Sequence, residues 1–398
     1  MTGGARFNEM VRIWKKEGHE ITVIAGNLDG PSAIKRDEYK GHVVKRKIQD
    51  GIEVFRCNVS ESYNRNFMGR LWAYFSFVFS GTYAGLFKVK GKYDIILVTS
   101  PPLFVGIIAY IISIFKRTPF LFEVRDLWPE SAIDTHILKN KFIIKFAYWF
   151  EKFIYKKAKL INVLTPAFTK SLIVKKGVSE EKIIEIPNAA DFDISEELFS
   201  SMEVSSFRTM QGWEDRFVIT YVGAHGIANG LQQIIDTADL LKDTNVLFVL
   251  VGDGMMKKNL IEEVRRRKLS NVIFKDPVPK RDVLKYVMAS DMGASVLMKN
   301  DTFKTVYSNK TFDYMSCKKP ILMAIDGVSR ELVEKADAGI FVEPENYRDF
   351  ADKVLLYLNS PEKLKQQGEN GYRYAKQNFD RNILALKYLK ELEKVNNV

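Results

Sequence analysis

The sequence predicts an α/β protein of two doubly wound, parallel-sheet domains in tandem. Three observations predict it. Short, largely apolar runs recur through both halves, among them YDIILVT at 93–99, FLFEV at 120–124, FVITYV at 217–222 and VLFVLV at 246–251. Runs of that kind fit strands buried on both faces. Helical-period stretches alternate with them, the pattern of strand–helix–strand crossovers. A length of 398 residues with 46% apolar content suffices for two cores.

Taken in order, the chain opens with a glycine turn, Thr2-Gly3-Gly4-Ala5, and a helix expected over about 6–17, ended by Gly18-His19-Glu20. A glycine turn that opens a helix ordinarily follows a strand. No strand stands ahead of this one, so the first sheet is expected to lack a strand. Truncation, a misassigned start and genuine divergence all fit. Strands are expected at 21–25, 43–49 and 52–58, the last two joined at Asp50-Gly51. An aromatic-rich helix is expected over 61–90, and strands at 93–99 and 120–124. The second of these delivers Arg125-Asp126-Leu127-Trp128-Pro129-Glu130 at its carboxyl end, where open α/β sheets collect their ligands.

Residues 140–159 combine Phe142, Phe146, Trp149 and Phe153 with Lys141, Lys145, Lys152 and Lys156. Two readings stand: a helix lying on an anionic lipid surface, or a core helix with snorkelling lysines. Strands at 160–164 and 182–186 complete the first domain. Residues 192–215 are polar and read as an irregular interdomain linker. Strands at 216–222, 246–251, 272–274, 292–296, 320–324 and 339–342 build the second domain. The boundaries expected are 1–190, linker 191–215, 216–378, and a last helix, 379–398, returning to the first domain.

The net charge of +11 calls for an anionic partner such as anionic lipid or a sugar nucleotide, or serves solubility alone. Nucleic acid is not expected, because no recognisable module accompanies the charge. Cys57 and Cys317 have no partner pattern and fit a reducing cytoplasm. His19, His42, His136 and His225 have no metal-ligand spacing, and no metal or other cofactor is expected. The apolar stretches 71–87 and 101–115 read as buried or interfacial helices rather than membrane spans.

Three polar turns carry the chemistry. Gly223-Ala224-His225-Gly226 and Gly252-Asp253-Gly254 each follow a strand, and Ser308-Asn309-Lys310 starts a helix expected to run to Cys317 with Ser308 as N-cap. A lysine in the first turn opposes the helix dipole; placed there, it points to an anionic ligand. Together the three turns can hold a diphosphate and a nucleoside on main-chain N–H groups and Lys310, without metal. No complete dinucleotide fingerprint and no Walker sequence occurs. Asp191-Phe192-Asp193 sits at a domain exit and reads as a turn.

The succession IPNAADFD, YVGAHGIANGL, FVLVGDG, KDPVPKRDVLKYVMASD, SNKTFDYMSCKKPIL and GIFVEPEN resembles the family 4 glycosyltransferases with the two-domain GT-B fold. LVTSPPLFVG, EVRDLWPES and GAHGIANGL resemble the branch of fucosamine and related aminosugar transferases of surface-polysaccharide assembly. The resemblance implies a metal-independent enzyme. Its second domain would hold a UDP-sugar as co-substrate, and its first a lipid-linked saccharide acceptor. Location on the cytoplasmic face of the cell membrane would follow. Donor contacts are implied at Gly223, His225, Gly226, Gly252, Asp253, Gly254, Pro277, Val278, Ser308, Asn309, Lys310 and Asp313, with Asp313 on the ribose hydroxyls. Acceptor contacts are implied at Gly3, Gly4, Arg125 and Trp128. Lys310 would stabilise the leaving phosphate, and Asp126, with Glu130 second and His136 third, would orient the acceptor hydroxyl. The chain departs from the family where a first Glu and a diphosphate-gripping Arg and Lys would stand: Thr305, Ala224 or His225, and Asn229 occupy those places. Two other readings compete, a nucleotide-sugar epimerase of the same fold and a non-catalytic scaffold.

Overall fold

The computed structural model describes residues 5–29, 34–65, 67–134 and 138–395. The chain forms two compact units, Met1–Pro187 with Asn382–Val398, and Asn188–Arg381. The amino end of the chain, including Gly3 and Gly4, and His136 lie outside the described residues.

In unit 1, helix α1 (Ala5–Lys16) leads to strands β1 (Thr22–Gly26), β2 (Leu28–Asp29), β3 (Ile34–Lys35), β4 (Val44–Gln49) and β5 (Ile52–Cys57). β1 runs parallel to β5, and β4 antiparallel to it, in a three-stranded sheet ordered β1-β5-β4. Asp50 and Gly51, both at positive φ (53° and 70°), make the tight hairpin between β4 and β5. There follow α2 (Phe67–Tyr83), β6 (Ile96–Ser100), α3 (Val105–Lys116), β7 (Phe120–Val124), α4 (Glu130–Asp134), α5 (Lys141–Lys157), β8 (Leu160–Val163), α6 (Pro166–Val174) and β9 (Ile183–Glu185). β6-β7-β8-β9 form a separate, wholly parallel sheet.

The single helix expected over 61–90 is broken. It is a 3₁₀ turn (Glu61–Asn64), α2, and a π turn (Ala84–Lys88). Gly81 and Gly85 explain the helix's place: Ile108 and Ile112 of α3 fill the space where their side chains would be. The expected strand 93–99 starts only at Ile96, and Tyr93 instead bonds Thr22 through its hydroxyl, 2.6 Å away.

In unit 2, α7 (Phe192–Ser201) and α8 (Val204–Gln211) precede β10 (Phe217–Val222), α9 (Gln232–Leu240), β11 (Val246–Val251), α10 (Lys257–Arg266), β12 (Val272–Lys275), α11 (Lys280–Met288) and β13 (Met292–Val296). Then come α12 (Asn309–Ser316), β14 (Ile321–Ala324), α13 (Val328–Lys335), β15 (Gly339–Phe341), α14 (Tyr347–Leu358) and α15 (Pro361–Asn378). One parallel sheet runs β12-β11-β10-β13-β14-β15. The period of two sorts β10 onto its faces: Val218 and Val222 enter one apolar layer, and Phe217, Ile219 and Tyr221 the other.

The linker expected at 191–215 is instead α7 and α8, folded into unit 2. Phe192, Leu198 and Trp213 are fully buried. The polar composition hid a helical spacing, Phe192–Ser195–Leu198, that puts a narrow inward stripe on α7. Arg208 fastens α8 by donating to the Ala289 and Trp213 carbonyls at 2.8 and 3.1 Å. The last helix, α16 (Arg381–Lys394), packs in unit 1. There Trp14 Nε1 donates to the Ala385 carbonyl at 2.7 Å, and the Trp14 and Tyr388 rings meet edge to face.

Candidate active site

Unit 2 gathers its polar turns at the carboxyl edge of its sheet. The Gly223 N–H donates to the Val251 carbonyl (3.0 Å) and the His225 N–H to the Asp253 carbonyl (2.8 Å). The turn after β10 therefore lies along the turn after β11. Only glycine allows it at Gly252, where φ is 150° and a Cβ would overlap the Gly223 carbonyl oxygen. A Cβ at Gly254 would reach the His225 backbone at 2.6 Å. Asp253 is exposed and accepts from the Gly254 N–H at 2.8 Å. Gly226 is held by Asn229, whose side-chain oxygen accepts its N–H at 3.2 Å.

Lys310, from the start of α12, lies against the same turn. Its Cε would be 3.4 Å from a Cβ on Gly223, and its ammonium sits 4.9 Å from the centre of the Tyr221 ring. The ammonium reaches Ser308 Oγ at 3.4 Å and makes no salt bridge among the described residues. Burial lowers its pKa to about 8, against the opposing pull of Asp313. Ser308 does not cap the helix as expected. Its hydroxyl turns to Ser295 Oγ on β13 (2.8 Å), and its N–H donates to Ser329 Oγ (3.1 Å). The helix start is thus left without a side-chain cap, open to an anion. Asn309 is exposed, and its side-chain oxygen accepts from Asn188 at 2.7 Å.

The His225 ring is buried between Tyr221 and Phe274, each about 6.0 Å away by ring centres. Neither ring nitrogen has a hydrogen-bond partner. Burial, with the Lys257 charge nearby, lowers its pKa to about 4, so the ring is neutral at pH 7. Asp313 is mostly buried and paired with Lys280, which also lies 3.7 Å from Asp191. Burial raises the Asp313 pKa, and Lys280 opposes the rise. Asp191 in turn pairs with Arg381, so the Asp-x-Asp carboxylate is engaged by cations of its own unit. Pro277 is exposed beyond β12, and Val278 packs on the core. Thr305 turns inward locally, its hydroxyl donating to the Thr302 carbonyl at 2.6 Å.

In unit 1 the loop after β7 carries the other candidates. Asp126 is half-buried and accepts from Ser131 Oγ at 2.7 Å; burial raises its pKa. Glu130 is engaged by Lys176 at 2.8 Å, and Lys176 also holds the buried Glu151 at 2.6 Å. Burial lifts the Glu151 pKa to about 7. Trp128 packs edge-on to Phe104 and into a small core with Ala132, Leu138 and Ala147, so its ring serves packing. Arg125 donates to the Ser100 carbonyl at 3.3 Å. α5 divides its aromatics: Phe150 and Tyr155 are buried, while Phe142 and Trp149 are 85% and 61% exposed. The core-packing reading therefore holds for one face of that helix, and the other face leaves its aromatics exposed. Among the described residues no helix is long and apolar enough to cross a membrane.

Two family models divide the chain between them. Residues 2–189 match the Glycosyl transferase 4-like domain, and residues 206–374 match Glycosyl transferases group 1. The chain is a GT-B glycosyltransferase. It is 20% identical to the putative colanic acid biosynthesis glycosyl transferase WcaI of Escherichia coli, over 98% of this chain and 96% of that one. It is 22% identical to a probable glycosyltransferase, WbjE, of Pseudomonas aeruginosa, over 51% and 50%. Among solved structures, its fold is shared by Anabaena HepE in complex with UDP: TM-score 0.72, 18% identity, 99% of this chain and 97% of that one. It is shared too by sucrose-phosphate synthase of Thermosynechococcus elongatus: TM-score 0.73, 14% identity, 99% and 94%.

This glycosyltransferase has site groups that sequence reasoning missed. Lys257 reaches the Gly252 carbonyl at 2.9 Å and Asp276 at 2.7 Å, adding a second cation beside the glycine turns. Tyr221 supports Lys310 from below, its hydroxyl bonded to the Ala224 carbonyl at 2.8 Å. The inward position of Tyr221 on β10 was readable from the strand's alternation, but its partner was not.

Proposed function

We propose that this glycosyltransferase moves a sugar, with retention of anomeric configuration, from a UDP-sugar to a lipid-linked or saccharide acceptor in surface-polysaccharide assembly of the O-antigen or capsule kind. An N-acetylated aminosugar is the donor class the motif resemblance favours. The observation that carries the donor reading is Lys310: a half-buried ammonium with no salt bridge in the described chain, set where two glycine turns and an uncapped helix start converge. That assembly complements a diphosphate. The UDP bound by the Anabaena structure and the colanic acid role in the E. coli relative's name support the same reading.

The chemistry follows from the leaving group. The bond from the anomeric carbon to the UDP β-phosphate oxygen breaks, and its electron pair leaves with UDP. Lys310 and main-chain N–H groups of the glycine turns stabilise that charge as it develops, so no metal or other cofactor is needed. The acceptor oxygen bonds the anomeric carbon on the face UDP leaves, and its proton passes to the departing phosphate. Unit 1 holds the acceptor, with Asp126 orienting its hydroxyl and Arg125 nearby. Asp313 binds the ribose only by exchanging its ion pair with Lys280 for those hydroxyls. Neutral His225 shapes the diphosphate seat from beneath.

The enzyme works at the cytoplasmic face of the membrane, where the exposed Phe142, Phe146 and Trp149 of α5, among lysines, suit an anionic bilayer. Incubation with a panel of UDP-sugars and a membrane lipid extract tests the reading. It predicts acceptor-dependent UDP release from at least one donor; a protein that binds and consumes none of them contradicts it. Sedimentation with anionic vesicles, reversed by salt, tests the membrane part.

A further inference from the structure

The β11–β12 ladder of unit 2 ends on a side chain. The two strands run parallel, with Val251 paired to Lys275, and the Gly252 N–H donates to the Lys275 carbonyl at 3.1 Å. In a parallel ladder the next rung would run from the N–H of residue 277 to the Gly252 carbonyl. Residue 277 is a proline and has no N–H to give. The Lys257 ammonium takes its place. It donates to the Gly252 carbonyl at 2.9 Å, to the Lys275 carbonyl at 3.2 Å and to Asp276 Oδ1 at 2.7 Å.

Lys257 is the first residue of α10, where a cation opposes the helix dipole. Its side chain is only 13% exposed, and all three of its acceptors lie outside the helix. What it serves is therefore the junction of the glycine turn after β11 with the chain leaving β12.

That chain, Asp276-Pro277-Val278-Pro279, joins β12 to α11. Its two prolines restrict the backbone. Among the described residues, no hydrogen bond engages the N–H of Asp276 or Val278, or the carbonyls of residues 276–278. The loop thus offers main-chain donors and acceptors to something else. Its two ends place it beside the diphosphate seat. It runs into Lys280, which pairs with Asp313, one turn beyond Lys310 on α12. At its other end Lys257 fastens it to Gly252, which closes on the Gly223 turn against Lys310.

A main-chain N–H beside a main-chain carbonyl complements one edge of uracil, which offers O4 as acceptor and N3–H as donor. Cytosine puts an amino donor where uracil has O4, so the same pair refuses it. Main-chain groups carry no residue signature, so their selectivity comes from where they are held.

We propose that Lys257 is the positioning residue for nucleobase selection: by tying the glycine turn after β11 to residues 276–279, it fixes the main-chain groups that read uracil. It acts through the loop and not by contact with the donor. The inference rests on the UDP-sugar reading and adds to it that one ammonium sets both the diphosphate turn and the base-reading loop.

The test measures calorimetric affinities of UDP, CDP, ADP and GDP for the intact chain, Lys257→Met and Lys257→Arg, with the thermal midpoint of each. Methionine keeps an unbranched stem against α10 and removes the ammonium. The intact chain should favour UDP over CDP by at least about tenfold, the worth of a base edge matched rather than left unpaired. In Lys257→Met that ratio should fall to within about threefold, while the preference for UDP over uridine, set by Lys310, persists. Arginine can still donate to the two carbonyls and should restore most of the ratio. Asp276→Ala cuts the tie at an exposed side chain, stands in where Lys257→Met does not fold, and should lower the ratio about two- to threefold. A ratio that stays put in Lys257→Met or Asp276→Ala, whatever the midpoint does, overturns the proposal and leaves the donor reading standing. So does an intact chain that binds all four diphosphates alike. An intact chain that binds none of them overturns the donor reading, and this inference with it.

Discussion

The two units solve the same folding problem by different means. In unit 2 the strand that opens the domain is central, and the turns around it pack so closely that only glycine fits between them. In unit 1 the described strands fall into separate sheets, among them β1-β5-β4 and β6-β7-β8-β9, and the elements around the second are tied by one buried carboxylate instead. Glu123, fully buried on β7, accepts from Arg6 of α1, Asn162 of β8, Thr99 of β6 and Tyr388 of α16. Where a central strand is present, backbone geometry sets the site. In unit 1 a charge network holds α1 and α16 onto the sheet of β6-β7-β8-β9.

The largest expected effect falls on that network. Glu123→Leu removes the carboxylate that balances the buried Arg6 guanidinium and should cost unit 1 about 3–5 kcal/mol, read by denaturant unfolding. A loss under about 1 kcal/mol would remove the network from the account. In unit 2 the matching blow is Gly252→Val, which drives a side chain into the Gly223 carbonyl; about 3 kcal/mol or more should be lost. Gly91 in unit 1, at φ 90° with open space around it, sharpens the contrast. There Gly→Ala should cost only about 1–2 kcal/mol, the left-handed penalty alone.

Much of this was legible in the chain. β11 begins and ends where its uninterrupted apolar run does, because a strand covered on both faces is built mostly of apolar residues. The three turns of unit 2 were visible as glycines after strands and a lysine at a helix start. Their mutual contact was not, since Gly223 and Gly252 meet through carbonyl and N–H groups that carry no residue signature. α7 was missed because three inward residues among polar ones look like a linker until Trp213 is seen closing over them. The Ser308 cap was overridden by Ser295, a partner from another strand that local spacing cannot anticipate. Glu123 carries no local signature of its role, since its four partners come from four different elements.

Smaller effects concern protons. Lys310 titrates near 8 in the free protein, and a bound diphosphate raises that pKa by stabilising the ammonium. UDP affinity should therefore hold below pH 8 and decline above it, and Lys310→Met should flatten the profile. His225 has its pKa lowered from 6.5 to about 4, so the folded state takes up its proton later than the unfolded one. Its contribution to stability is complete above pH 6.5 and is lost as pH falls toward 4. His225→Phe should lessen the acid sensitivity of unit 2 in thermal melts across that window.

The central claim is that the turns of unit 2 recognise a diphosphate through Lys310. Calorimetric titration of UDP and of uridine into the intact chain and into Lys310→Ala tests it most directly. UDP should bind the intact chain more tightly than uridine does. In Lys310→Ala the UDP affinity should fall about 10–100-fold, the worth of a charge-assisted hydrogen bond, while uridine binding stays put. An unchanged preference for UDP over uridine in the variant would contradict the claim.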